Sequence, residues 1–496
     1  MPLVPVGVPW SIAGVALASV LVSAYRVWQE DLINVDGVLY LRMAERLATG
    51  DVSGALALYK WPFYPGLVAG LAPLTQGDLA LAAHVLNALL ALGVAASFVA
   101  AVGALGGDHR HRVVAACAVV LYPWLNDMRG LIIRDWGYWA CHGLVVALLL
   151  WGARRGAIPW GWAASVAAVG GAFRIEGLLL AAVLAAVKLG AWHRLGGWLA
   201  VPGALVVLGL IASWWRLPAW PPGGRDWEVL TVVWDHIAGN TAQRLAALRD
   251  FLGPFADHYA ETIYLVVLLS LLVLGVVTRL TLPGAWLVYC AWQRGLVPWN
   301  RDQRRIMGLL LAFNGAVLTL QLLAEGFLTR RYPMALCLAL LTLTPFAAIA
   351  LWDRGWRGHR RLPRLALGVL VLYMAADTLV ATGVDRRHVA AAGRWLAPRL
   401  AENEVTLYSN VHQLIFFAGG DSYHLDRDYS FAHAERALAP GTGCCHWIAL
   451  RFTRHQRGEA AEWRRRLGEP VARFTDGHDD WVLIFHGPQK STASPS

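Results

Sequence analysis

The chain reads as a polytopic α-helical membrane protein carrying a small soluble α/β domain at its C-terminal end. Three observations predict this. Of its 496 residues, 57% are hydrophobic and only 15% charged, where soluble domains carry about a quarter, and the mean hydropathy is +0.47. Apolar runs of bilayer-spanning length recur from residue 8 to residue 382. Beyond about Asp385 they give way to amphipathic helix and strand patterns.

The apolar runs place spans near residues 8–27, 79–104, 113–127, 137–152, 160–173, 177–191, 198–215, 260–279, 306–325, 334–352 and 364–382. That is about eleven. The two runs around 160–191 are short and meet at the charged "FRIEG". The run "LTLPGAWLVYCAW" (280–292) is short and broken by Pro and Gly, so it reads as a half-span or an interfacial segment. The first run has no Lys or Arg before it and exceeds a signal-peptide core, so it reads as a retained anchor. No internal duplication of the transporter kind is visible.

The 43 basic and 33 acidic residues leave a net charge of +10. In a soluble chain that points to nucleic acid. Here the basic residues gather in alternate loops: "GGDHRHR", "GARRGA", "VKLGAWHR", "WQRGLVPWNRDQRR" and "DRGWRGHRRLPR". That is the positive-inside bias, and it excludes nucleic acid as the partner. The other loops, "QEDLINVD", "LNDMRGLIIRD", "PPGGRDWEV" and "DHYAE", are richer in acid. The N-terminus is then cytoplasmic, and Asp36, Asp135 and the C-terminal tail lie outside. Arg26, on the outer flank of a first run with no basic residue before it, disagrees and is outweighed by five loops. The expected location is a bacterial cytoplasmic membrane, with the C-terminal domain on its periplasmic or extracellular side.

The expected divisions are a membrane domain over 1–384, an α/β domain over 385–490 and a frayed tail over 491–496. Within the second, "RRHVAAAGRWLAPRL" and "EAAEWRRRLG" read as helices, and "VTLYS", "HWIALRF" and "DWVLIF" as strands of a partial doubly wound sheet. A second outer soluble segment falls between Trp215 and His258. Cys117, Cys141, Cys290 and Cys337 read as core residues, the adjacent Cys444 and Cys445 as two ordinary thiols with a strained vicinal disulfide as the alternative, and no CxxC pair suggests zinc.

Chemistry concentrates in the outer loops. After Asp36, Leu39, Tyr40, Met43, Ala44 and Leu47 fall at helical spacing, with Arg42, Glu45 and Arg46 opposite. This suits a helix in the membrane interface, and "WPFYPG" then returns the chain through rigid prolines. Asp36 and Asp135 each open a helix, so simple capping is the plain alternative for both. The second loop adds Asp127, Arg129 and Arg134. "FRIEG" puts Arg174 and Glu176 between apolar halves; charges at such depth face a cavity. An i,i+2 pair does not share a helix face, so these two are expected to have different partners. "GFLTRRYPM" adds Arg330, Arg331 and Tyr332, for which snorkelling anchors are the plain alternative. Arginine forks match phosphate oxygens, and a carboxylate can take a proton from an attacking hydroxyl.

These features, in order, resemble the GT-C superfamily of polyprenyl-phosphate-sugar-dependent glycosyltransferases. The nearest branch is the bacterial relatives of protein O-mannosyltransferases and of the lipid A aminoarabinose transferase. The stretches that carry the resemblance are "NVDGVLYLRMAERLATGD", "WPFYPG", "RGLIIRDWGYWA", "GGAFRIEGLLL" and "TRRYPMALCLALLTLTP". "AAAGRWLAPRLAENEVTLYSNVHQLIFFAGG" resembles an outer domain often appended in that family. The resemblance covers most of the chain. It implies a catalytic aspartate in the first outer loop, matching Asp36, and a second acid matching Asp135, with Asp127 behind it. The chain departs from the family in having Gly37 where a second acid often follows and in the wording of its Pro-rich return.

The implied reaction is an inverting transfer of a sugar from a polyprenyl-phosphate donor to an acceptor hydroxyl on a lipid, glycan or protein. Arg174, Arg330, Arg331, Arg134 and Lys60 are the candidates to hold the donor phosphate, and Tyr40, Tyr64, Glu176 and Tyr332 to line the substrate. No cofactor is expected; a divalent cation is the alternative, with His424, Asp426 and Asp428 as a loose candidate site. The competing functions are a transporter or flippase of a lipid-linked sugar and a non-catalytic cell-envelope assembly protein.

Overall fold

A computed structural model describes residues 11–30, 32–189, 228–357, 361–380, 387–401, 407–419, 447–476 and 480–487. In chain order its helices are α1 (Ser11–Gln29), α2 (Val35–Ala48), α3 (Val52–Leu58), α4 (Phe63–Leu71), α5 (Leu79–Ala104), α6 (His109–Val120), α7 (Pro123–Arg129), α8 (Asp135–Arg155), α9 (Trp160–Phe173), α10 (Ile175–Lys188), α11 (Glu228–Leu252), α12 (Ala260–Leu280), α13 (Leu282–Gln293), α14 (Arg301–Glu325), α15 (Met334–Leu341), α16 (Thr344–Arg357) and α17 (Leu362–Leu379). The C-terminal part holds α18 (Arg387–Ala401), β1 (Leu407–Ser409), α19 (His412–Phe417), β2 (Trp447–Phe452), α20 (Arg457–Leu467), β3 (Ala472–Thr475) and β4 (Trp481–His486). The expected span 198–215, the first part of the segment after Trp215, His424, Asp426, Asp428, Cys444, Cys445, Asp385 and the tail 491–496 lie outside the described residues.

The chain divides into two compact units: residues 1–23, 87–128 and 134–380, and residues 24–86, 129–133 and 381–496. In the first, apolar runs set the helices. Six helical stretches among the described residues are long and apolar enough to cross a bilayer: 79–104, 135–155, 257–280, 301–325, 334–354 and 362–379. The protein is a multi-pass membrane protein. Polar side chains stitch these helices together, because a buried amide left without a partner is costly. Gln303 donates to the carbonyls of Ala104 at 2.8 Å and Leu150 at 3.0 Å, and Asn300 to that of Ala153 at 2.9 Å.

Several expected spans are resolved differently. The run 113–127 is two helices, α6 and α7, because Pro123 lacks the N–H that would continue the first. The 280–292 run is a helix of its own, α13, started by the Thr281 hydroxyl, which accepts from Gly284 N at 3.3 Å. Thr281 has φ +62, a left-handed conformation that breaks α12 from α13. The end of α12 lies beside the start of α7: Tyr122 Oη donates to the carbonyl of Arg279, and Trp124 Nε1 to that of Thr278 at 3.0 Å. Helices α9 and α10 have 14 residues each, about 21 Å, short of a ~30 Å hydrocarbon core. They fold back on each other at Arg174. Gly177 makes this approach possible: a Cβ there would sit 2.2 Å from Gly171 N and 2.7 Å from the Ala167 carbonyl.

In the second unit, α2 buries Leu39, Tyr40, Met43 and Ala44. Its apolar side packs within the protein, with the Tyr40 ring edge-on to Tyr64 of α4 at 5.3 Å. "WPFYPG", expected to return the chain, runs into the start of α4. Pro62 precedes its first turn and Pro65 sits within it, where a missing N–H breaks no helical bond. The sheet has the order β1-β2-β4-β3. Only β1 and β2 are parallel; β4 runs antiparallel to both β2 and β3. The expected doubly wound sheet is therefore a mixed one. Its β3, and helix α19, fall where no strand or helix was expected. One face packs Val482 and Ile484 against Val389, Leu396 and Leu414, and the other packs Leu483 and Phe485 against Ala460 and Trp463.

Candidate active site

Asp36 lies in the first turn of α2 and is partly buried. The N-cap position belongs to Asn34, so Asp36 does not cap the helix in the expected way; a carboxylate in the first turn still meets the positive end of the helix dipole. Asn34 makes no side-chain cap bond. Its amide is used elsewhere: Oδ1 accepts from Ile132 N at 2.8 Å and Nδ2 donates to the Ile132 carbonyl at 3.1 Å. The first loop is thus clamped to segment 129–133 of the second. The clamp also explains Gly37. A Cβ there would stand 2.8 Å from Asn34 Oδ1 and 3.0 Å from Ile132 Cβ, so no second acid fits beside Asp36.

In the first unit, Asp135, Arg174, Glu176 and Arg331 form one cluster. Asp135 opens α8 with 1% of its surface exposed, and Glu176 opens α10 with 5%. Arg174 Nη1 donates to Asp135 Oδ1, while its Nε lies 3.1 and 3.2 Å from the two Glu176 oxygens. Arg331 Nη1 reaches Asp135 Oδ2 at 3.5 Å. Gln321 Nε2 donates to Glu176 Oε1 at 2.9 Å, and the Tyr332 ring lies 5.0 Å from the Arg174 guanidinium. The expectation that Arg174 and Glu176 have different partners is corrected. Arg174 has φ −146 and ψ 142, an extended residue between two helices, so the helical spacing rule does not apply to it. Two guanidiniums meet two carboxylates, which suits charges this deep.

The other candidates are spread. Tyr64 is fully buried against Tyr40, and Lys60 is exposed between α3 and α4. Arg134 immediately precedes α8 and adds positive charge beside Asp135, and Asp127 is partly buried on α7. Arg330 turns away from its neighbour Arg331: its guanidinium lies 5.8 Å from the Trp124 ring centre, and Arg279 lies 4.2 Å from the same ring. Gln321, Arg279 and Trp124 were not singled out from the sequence. A glutamine inside the apolar run of α14 was the one available signal. Among the described residues no three His, Cys, Asp or Glu side chains gather where a metal ion would be held.

No protein-family model matches the chain, and no curated protein matches it. It is similar to a solved structure, the crystal structure of ArnT from Cupriavidus metallidurans bound to undecaprenyl phosphate. The identity is 16%, the likeness covers 96% of this chain and 98% of that one, and the TM-score is 0.39. A likeness that distant carries neither fold nor chemistry across.

Proposed function

We propose that this membrane protein is an inverting glycosyltransferase, moving a sugar from a polyprenyl-phosphate donor to an acceptor hydroxyl at the outer face of the cytoplasmic membrane. The observation that carries the reading is the Asp36 carboxylate in the first turn of α2, whose start the Asn34–Ile132 clamp fixes. The buried Asp135–Arg174–Glu176 cluster supports it further, because ionised groups this deep mark functional sites by default.

In the proposed reaction the Asp36 carboxylate takes the proton of the acceptor hydroxyl. The acceptor oxygen attacks the anomeric carbon from the face opposite the phosphate. The new C–O bond forms as the bond to the phosphate oxygen breaks, and the lipid phosphate leaves with that bonding pair. A diester with one negative charge becomes a monoester with two, and Asp36 becomes neutral, so charge balances. The leaving phosphate needs cations rather than an acid.

The test is release of free lipid phosphate. Purified protein given a polyprenyl-phosphate sugar and acceptor hydroxyl compounds should release it only when acceptor is present. Binding or translocation of the donor with no bond cleavage would instead make the protein a carrier.

A further inference from the structure

Leu32 is an apolar residue in an otherwise acidic outer loop, "QEDLINVD". Its side chain is 6% exposed and belongs to the core of the C-terminal domain. That core is built from Val389 and Leu396 of α18, Leu414 of α19, and Val482 and Ile484 of β4. Among the described buried residues of that cluster, Leu32 alone comes from outside segment 381–496.

A second tie reaches the same loop. The Arg42 guanidinium of α2 lies 5.1 Å from the ring centre of Phe416 on α19. Leu32 precedes the start of α2 and Arg42 lies within it, so Asp36 falls between the two ties. The Asn34–Ile132 clamp holds the start of α2 from the second outer loop. The backbone that carries Asp36 is therefore supported at three points, two of them in the C-terminal domain.

We propose that the C-terminal α/β domain positions Asp36, and that Leu32 is the peg through which it does so. A leucine in a close-packed core has one place to sit, whereas an outer loop left to itself is mobile. A general base works only within about 2.6–3.2 Å of the proton it takes, and a misplacement of about 1 Å costs on the order of 10²-fold in rate. Leu32 touches no reacting atom and is a positioning residue. Its role in transfer rests on the glycosyltransferase reading; its anchoring of the loop does not.

The experiment measures the two separately in full-length protein in nanodiscs. Amide hydrogen exchange over residues 33–48 reads the anchoring. It should be about tenfold faster or more in Leu32→Ala, and about two- to fivefold faster in Phe416→Leu, which removes the ring beside Arg42. Acceptor-dependent release of lipid phosphate reads the positioning. In Leu32→Ala kcat should fall by about 10²-fold while the donor KM is unchanged, and Leu32→Met, which conserves volume, should restore both exchange and kcat. Leu450→Ala makes the same truncation in the core on the other face of the sheet, and should leave kcat per folded protein unchanged. Wild-type exchange in Leu32→Ala overturns the anchoring. Faster exchange with unchanged kcat overturns the positioning. An equal loss in Leu450→Ala, or no recovery in Leu32→Met, puts the effect in the integrity of the domain and overturns the peg; if Leu450→Ala does not fold, recovery in Leu32→Met decides alone. Absence of release from the wild type removes the glycosyltransferase reading, and exchange still decides the anchoring.

Discussion

Arg330 and Arg331 are neighbours in sequence, yet they belong to opposite electrostatic arrangements. Arg331 joins Arg174 around two buried carboxylates, Asp135 and Glu176. Arg330 joins Arg279 over Trp124, with no acid. The first group is closed: its charges cancel inside the fold, and its forks are already occupied. The second is open. Whether a carboxylate reaches an arginine decides which of the two arrangements it joins, and composition alone cannot distinguish them.

The contrast breaks most sharply at Arg174. Replacing it with Met leaves Asp135 and Glu176 buried without their main cation, and breaking a buried pair this way costs about 3–5 kcal/mol. Thermal unfolding should show a large loss of stability, partly recovered by Arg174→Lys, which restores charge but not the fork. If the Met variant is as stable as wild type, the closed cluster is no framework.

Asn34→Ala sharpens the comparison by removing a neutral clamp. Its two bonds to Ile132 are partly buried, so a loss of about 1–3 kcal/mol is expected in a denaturation midpoint. The smallest effect belongs to the open group. Arg279→Gln with Arg330→Gln removes like charges and two ring contacts, and should change stability by no more than about 1 kcal/mol. A loss as large as that of Arg174→Met would put both groups in the same class.

Much of the fold is legible in the sequence because a bilayer forces long apolar runs. The stretches 79–104 and 306–325 could scarcely be anything else. Legibility ends where local chemistry overrides hydropathy. Pro123 splits one run into two helices, and Thr281 turns the ambiguous 280–292 stretch into a separate helix by adopting a left-handed backbone. The mixed sheet was hidden because β3 is only four residues long and half exposed. At the site, residue types were readable but partnerships were not. Arg174 and Glu176 look mismatched at helical spacing and pair only because Arg174 is extended. Arg279 ends an apolar helix like any snorkelling anchor, and its kinship with Arg330 is a fact of the tertiary structure. Gly37 looked like a missing acid and is a site with no room for one.

The central claim is that Asp36 is the base of a glycosyl transfer. It is tested by the acceptor-dependent rate of lipid-phosphate release in Asp36→Asn, a change that keeps the side chain's size and removes its basicity. The predicted result is a folded protein that still binds the lipid donor and transfers about 10²–10⁴-fold more slowly. Transfer at the wild-type rate would contradict it.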